Sequence, residues 1–505
     1  MDVHETVSRR TLLKGVGLAV LGAGAVACTS RSEPEPEAAA AVVRPLPIPP
    51  VLAPRKVGKT KVFGLEARTG TSEIVPGTRT GTWGYNGANL GPTIRVTRGD
   101  NVRINVRNAL PDTTTVHWHG LHVPPDMDGG PHQPIESGRA FASRFRVRQQ
   151  AATLWYHPDL HGSTSLQTSR GLAGMMIVDD AATSRHDLPR RYGMDDIPLI
   201  LQDKRFTSTG ALDETDRADV GLLGDTPTVN GITQPTFTAT TRRVRFRVVD
   251  ASTARLYNLA FSDNRRFTVI GTDGGLLDKP MTATSIGISP GERTEIVVDL
   301  SPGETVQLRA VAFPGNLGVD DAAPDFGLQD EFDLMTVIGP APTAPKPRAL
   351  PTGLNPTLRN SPNTGIAHKR YFDLQWFQIN GQLFDPARVD AVVPVGKTEI
   401  WTVRNTDTWI HNFHIHGTQF RVLSLDKAHP KPPTAGWKDT VLLPPGAVAR
   451  LAVRFTDYTS TRWPYQFGCH LMFHQDKGME GQLVVVRPGQ KPSAVLGRPP
   501  RRRKR

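Results

Sequence analysis

The chain of 505 residues carries 60 Lys and Arg against 48 Asp and Glu, a net charge of +12, with 47 Gly, 43 Pro and 7% aromatic residues. Its length suits about three domains of the usual 100 to 200 residues, and the lack of a sustained helical period predicts an all-β fold of short strands and turns. Two cysteines, Cys28 and Cys469, leave no room for a disulfide framework, and seven of the twelve net positive charges sit in the last fifteen residues, which leaves an unremarkable +5 for the rest; nucleic-acid binding is not expected of a chain with an export signal.

The N-terminus reads Ser8-Arg9-Arg10-Thr11-Leu12-Leu13-Lys14, followed by an apolar run over residues 15–27. Twin arginines before a short apolar core read as an export signal of the twin-arginine (Tat) machinery, which moves chains that fold before crossing. The run is too short for a permanent bilayer anchor. Its end fits two processing schemes: Ala25-Val26-Ala27 suits ordinary cleavage, and the same residues before Cys28 resemble a lipobox that would anchor the chain to a membrane through Cys28. The expected location is periplasmic, secreted or lipid-anchored at the outer face. Residues 29–55, rich in Pro, Ala and Glu, predict a flexible tether.

Alternating stretches then recur: Thr93-Ile94-Arg95-Val96, Arg103-Ile104-Asn105-Val106, Arg243-Val244-Arg245-Phe246-Arg247-Val248 and Val448-Ala449-Arg450-Leu451-Ala452-Val453. Every second residue is apolar, as in half-buried sandwich strands. Domain limits of 56–180, 189–339 and 364–486 follow, with a Pro-rich linker at 340–363 and a basic tail at 487–505.

Nine of the fifteen histidines fall in four short segments. His117-Trp118-His119 alternates on a predicted strand, so both imidazoles share one face. The second is Trp155-Tyr156-His157-Pro158-Asp159-Leu160-His161, the third His411-Asn412-Phe413-His414-Ile415-His416. The fourth is Phe467-Gly468-Cys469-His470-Leu471-Met472-Phe473-His474-Gln475-Asp476-Lys477-Gly478-Met479. A thiol, an imidazole and a thioether at this spacing suit a trigonal copper site with a weak axial ligand.

In order and spacing the four segments resemble the multicopper oxidases, among them laccases, copper efflux oxidases and spore-coat laccases. The resemblance spans residues 91–486 and includes Asp273-Gly274-Gly275, Pro290-Gly291-Glu292-Arg293 and Trp437-Lys438-Asp439-Thr440, which also read as ordinary turns. It implies three cupredoxin-like Greek-key β-sandwich domains with a copper cluster between the first and third. It also implies a small-molecule reductant (phenol, aromatic amine or Cu(I)) and dioxygen as reaction partners.

Carried over residue by residue, the resemblance gives the type 1 copper His411, Cys469, His474 and Met479. The type 2 copper takes His117 and His414, and one type 3 copper takes His119, His157 and His470. The second type 3 copper would need histidines where Asp159, His416 and Gly468 stand, and only His416 complies. Asp128 matches a carboxylate that relays protons, whereas the relay position after His474 is Gln475. Cys469 and His470 remain covalently joined, so one electron path to the cluster survives. The resemblance thus implies an oxidase with impaired dioxygen chemistry, whose Asp159→His plus Gly468→His double variant should consume dioxygen faster. A cluster remodelled to stop at peroxide, a carboxylate ligand at Asp159, or a non-enzymatic envelope protein are the other readings. The retained type 1 set favours redox chemistry, and His161 is read as structural.

Replacing Arg9 and Arg10 together with Lys should strand unprocessed precursor in the cytoplasm, as judged by fractionation and immunoblotting; unchanged export of that variant would refute the signal.

Overall fold

The computed structural model describes residues 43–319, 322–359 and 365–497. The leader with Arg9, Arg10 and Cys28, and the basic residues from Arg498 onward, lie outside the described residues.

Three pairs of sheets succeed one another along the chain. The first pair joins a five-stranded sheet, built on Thr60–Ser72 and Asn101–Asn108, to a four-stranded sheet ordered Ile94–Thr97, Gly174–Asp179, Ala152–His157, His117–His119. The second and third pairs each join a six-stranded to a five-stranded sheet. Each pair closes on its own apolar cluster: Phe63 and Ile104 meet Trp118 and Leu154 in the first, Phe246 and Ile296 meet Leu259 and Leu308 in the second. In the third, Trp401 and Leu451 meet Phe413 and Phe467. Each sandwich also contains a parallel pair, Thr60–Ser72 with Asn101–Asn108, Asp196–Lys204 with Arg243–Asp250, and Ile366–Gln375 with Thr398–Asn405. Parallel neighbours need a long crossover, which rules out a simple meander and fits Greek-key connectivity. The all-β expectation therefore holds, and no helix among the described residues is long and apolar enough to cross a membrane.

Three stretches depart from the sequence reading. Arg243–Asp250 is not half-buried, because its polar face packs on the first sandwich: the Arg247 guanidinium donates to Asp196 Oδ1 (2.7 Å), Glu295 Oε1 (3.0 Å) and Thr153 Oγ1 (2.9 Å). The described part of the expected tether is bound along the sandwiches, where Leu46 N and Thr236 N donate to Thr236 O and Arg44 O, and Leu52 N donates to Thr93 O. Proline keeps such a segment extended, and its free carbonyls still accept, as Pro47 O does from Asn230 Nδ2 at 2.7 Å. The linker is likewise a strap: Arg242 donates to Ala344 O (2.7 Å) and Pro342 O (3.0 Å), and Leu354 is buried. Even the start of the basic tail is held, since Ser493 N donates to Thr461 O and Gly497 N to Arg462 O.

One buried cation ties all three sandwiches together. Arg293, on a strand of the second, donates to Thr153 O of the first (3.0 Å) and to both carboxylate oxygens of Asp439 of the third (2.6 and 2.5 Å). Removing one partner of a fully buried pair leaves an uncompensated charge, which typically costs about 3–5 kcal/mol. Arg293→Ala should therefore lower stability by about that amount in denaturant titration, and the double variant Arg293→Met plus Asp439→Leu should recover part of the loss.

Candidate metal centres

The fourth histidine segment packs against the third on a neighbouring strand of one sheet. His411 begins the strand His411–Ile415, which pairs with Tyr465–Gly468 and so brings Cys469 alongside. His411 Nδ1 and His474 Nδ1 face each other at 3.0 Å, and Cys469 Sγ lies 3.8 and 3.7 Å from them. The centre of a triangle with those edges is about 2 Å from every corner, the distance at which imidazole and thiolate bind a first-row metal. The outer ring nitrogens are tied off, His411 Nε2 to Asp407 Oδ2 (3.2 Å) and His474 Nε2 to the backbone carbonyl of Asp219 (2.9 Å). Such contacts fix tautomer and orientation. Asn412 Oδ1 accepts from His470 N (2.5 Å) while its amide donates to Pro290 O (2.9 Å), which clamps the ligand loop. Met479 is buried, and its carbonyl accepts from Cys469 N (3.0 Å).

Electrostatics complete this donor set. Burial pushes His474 down to about 3 and lowers His411, so both rings are neutral at ordinary pH. Burial pushes the Cys469 thiol up to about 12, so only a bound cation would draw off its proton.

The second cluster lies where the first and third sandwiches meet. His119 Nδ1 faces His157 Nε2 at 3.2 Å, and His157 Nε2 faces His470 Nε2 at 3.3 Å. His117 stacks on His416 and His119 on His414, each with centroids 3.8 Å apart. His117 Nε2 and His414 Nε2 are buried without a hydrogen-bond partner, as expected of atoms awaiting a metal. Their opposite nitrogens face Asp128 O (3.1 Å) and Asp439 O (2.8 Å). Burial and neighbouring imidazoles hold His119, His157 and His414 far below the usual range, and burial pushes His470 to about 3. Gly291 must be glycine here: its φ is +89°, and a Cβ would stand 3.0 Å from His119 Cε1 and 3.1 Å from His470 Nδ1.

Asp128 Oδ2 faces His416 Nδ1 at 2.8 Å and lies 3.6 Å from His117 Nδ1. Burial alone would raise this carboxyl, but the two imidazoles outweigh it and hold it below the usual range. The structure thus gives Asp128 an orienting role as acceptor for His416.

The third donor set is different. Asp159 Oδ2 lies 3.8 Å from His416 Nε2 and has no hydrogen-bond partner, while Asp159 Oδ1 accepts from Gln475 Nε2. Gly468 occupies no emptied imidazole site. A Cβ there would stand 2.3 Å from Met479 O and 2.9 Å from Glu480 Cα, so the backbone of the neighbouring strand fills the space. The expected gain from Asp159→His plus Gly468→His is corrected on this ground, because residue 468 cannot carry a ring without moving that strand. His161 stays out of the cluster, its Nδ1 3.1 Å from Glu480 Oε2.

Several supporting residues escaped the sequence reading. Asp439 Oδ1 faces His119 Nε2 at 3.1 Å, and Arg293 grips Asp439. Both stand in stretches that the resemblance includes but that locally read as turns, so neither residue was given a role there. Asp407 precedes His411 by four residues with no motif to mark it, and Asp219 contributes only a carbonyl, which sequence does not reveal.

Three family models, each described as multicopper oxidase, match residues 66–183, 194–308 and 346–489. The multicopper oxidase mco of Staphylococcus aureus is 35% identical over 444 residues, covering 87% of this chain and 92% of that protein. The cell division protein FtsP of Escherichia coli (strain K12) is also 35% identical, over 451 residues, 88% of this chain and 93% of that one. Among solved structures, a laccase from Pediococcus acidilactici superposes with a TM-score of 0.78 at 33% identity, covering 88% and 94%. The laccase-like multi-copper oxidase CueO from Ochrobactrum sp. gives 0.79 at 35%, covering 88% and 100%.

Because the imidazoles are neutral and the thiol is protonated, metal uptake at His411, Cys469 and His474 should release about one proton, and apparent affinity should rise about tenfold per pH unit below the thiol's range. Anaerobic titration with Cu(I) in weak buffer containing a pH indicator measures this, and Cys469→Ser should abolish the release.

Proposed function

Because the chain belongs to the multicopper oxidase family, we propose that it is an exported, laccase-like oxidoreductase whose second type 3 copper position is closed. Its reductants are phenols, aromatic amines or Cu(I), and its terminal acceptor is dioxygen. The observation that carries this reading is the contrast between two donor sets. The triangle of His411, Cys469 and His474 is complete and oriented, whereas residue 468 is walled by backbone.

When bound, copper supplies one-electron redox chemistry that takes electrons singly at the type 1 position and hands them to dioxygen at the cluster. His411, Cys469, His474 and Met479 would hold the type 1 ion. His117 and His414 would hold the type 2 ion, and His119, His157 and His470 the remaining type 3 ion. Asp407 and the Asp219 carbonyl keep the type 1 rings aimed inward. The peptide joining Cys469 to His470 links the two centres, and Asn412 clamps that peptide. Asp128 and Asp439 hold the rings of His416 and His119 in place.

The similarity to a cell division protein supports a second reading, a non-enzymatic role in the cell envelope. Its specific support is the closed position at Gly468 and the hydrogen-bonded Asp159, since a cluster short of ligands suits a protein not selected for dioxygen turnover.

Copper analysis with optical and EPR spectra separates the readings. Loaded protein should show an intense blue thiolate-to-copper band that Cys469→Ser abolishes, and should bind nearer three than four coppers. Gly468→His should add no copper and should cost about 1–3 kcal/mol or more through overpacking. A coupled copper pair with laccase-level turnover in the unaltered protein would sink the closed-site reading, and a colourless loaded protein would sink the oxidase itself.

A further inference from the structure

Direct contact between a reductant and a type 1 imidazole is blocked. His411 and His474 are both fully buried, and their outer nitrogens are already engaged by Asp407 and by the Asp219 carbonyl on the turn Ala218–Val220 of the second sandwich. An aromatic chain nevertheless leads from these rings to the surface. Phe377 and Trp409 lie 5.6 and 6.1 Å, centroid to centroid, from His474, and Trp376 lies 5.4 Å from Trp409. The Trp376 side chain ends this chain in solvent, with the residue 60% exposed.

Trp376 is unusual in its backbone as well. Its φ is +57°, the left-handed region that bulky L-residues rarely adopt. The turn that holds it joins Ile366–Gln375 to Gln378–Ile379, and a glycine there would be free of strain. The conformation is fixed by a hydrogen bond from Trp376 N to Asp407 Oδ2 at 2.5 Å. That same oxygen faces His411 Nε2 at 3.2 Å. One carboxylate oxygen therefore joins the exposed residue to a metal-binding ring, while the indoles lead to the other ring. A large apolar side chain, strained, exposed and wired to both imidazoles, adds nothing to the core.

We propose that Trp376 is the port through which electrons reach the type 1 position, and that the favoured reductants are planar aromatic molecules that stack on its exposed indole. This rests on the copper reading above. Transfer is outer-sphere and moves no atoms. One electron leaves the π system of the reductant and takes type 1 copper from Cu(II) to Cu(I). A phenol then sheds its O–H proton to water and becomes a neutral radical, and an aromatic amine becomes a radical cation. Offset stacking of two π faces supplies the recognition.

Two variants test this. Trp376→Gly removes the indole at a backbone position that suits glycine, and Trp376→Phe keeps a stacking face. In metal-free protein, calorimetric titration with an aromatic diamine should show saturable binding that weakens at least tenfold in Trp376→Gly and is largely kept in Trp376→Phe. In copper-loaded protein without oxygen, bleaching of the blue band by the same diamine should slow at least tenfold in Trp376→Gly and recover in Trp376→Phe. Bleaching by dithionite, which does not stack, should be equal in all three. Wild-type binding and bleaching by the diamine in Trp376→Gly would overturn the port and leave the copper reading standing. Absence of a blue band in every protein would overturn the copper reading, while the metal-free titration would still decide whether Trp376 binds the aromatic.

Discussion

Arg293 and Asp439 form the contact on which the site depends. Their paired hydrogen bonds are sealed from water, and the same guanidinium reaches Thr153 O, Gly291 O and Asp273 O. Asp439 in turn faces His119 through its side chain and His414 through its carbonyl. Lys438 extends the network, donating to Glu292 Oε1 (2.8 Å) and lying 3.0 Å from Asp273 Oδ2. A buried ion pair is a poor source of net stability beside apolar packing. What it supplies here is register, since the charges are satisfied only when all three sandwiches dock in one arrangement, and that arrangement brings histidines of the first and third together.

The departures at residues 159, 468 and 475 belong to one local design. Gln475 donates its amide to Asp159 Oδ1. A carboxylate at 475 would face that of Asp159 with Glu480 nearby, and like charges that close in a buried space repel strongly. An amide after His474 and a carboxylate at 159 are therefore physically coupled. Gly468 completes the design by letting the Glu480–Val486 strand approach until its backbone fills the space of a side chain. The contact between Gln475 and Asp159 leaves Asp159 Oδ2 and Gln475 Oε1 buried without a partner, and the Asp159 carboxyl is pushed up to about 7 mainly by burial, then by Glu480.

Sequence revealed the fold and the grouping of Cys469 with His474 because their signals are local. Cys469, His474 and Met479 lie within eleven residues, and alternation along Asn101–Asn108 follows directly from a pleated strand with one wet face. Where the second face is also covered, local pattern misleads: Arg245 and Arg247 look solvent-facing until Asp196 and Glu295 are found beside them. Composition misled over residues 43–55, because a Pro-rich segment without periodicity looks loose whether or not a neighbouring strand accepts its hydrogen bonds. The supporting contacts were the least legible. Asp273, Arg293 and Asp439 read as turn residues, and Trp376 belongs to no motif. Each acquires its role from a partner distant in sequence, and a single chain of letters does not display that pairing.

Among the described residues the second sandwich contributes no ligand side chain to any donor set, yet both centres lean on it. Its Asp219 carbonyl orients His474, its Arg293 fixes Asp439, and the main chain at Gly291 passes against His119 and His470. Undocking it would free the outer nitrogen of His474 and strip the support from the histidine cluster at once. Metal binding and docking of the three sandwiches are thus linked equilibria, each ion stabilising the docked form by its preference for assembled over separated ligands. Such a chain binds its metals well only after the whole molecule has closed. The export route proposed from Arg9 and Arg10, which carries folded chains, would match that requirement, because a threaded chain would have to assemble all three sandwiches before either centre could form.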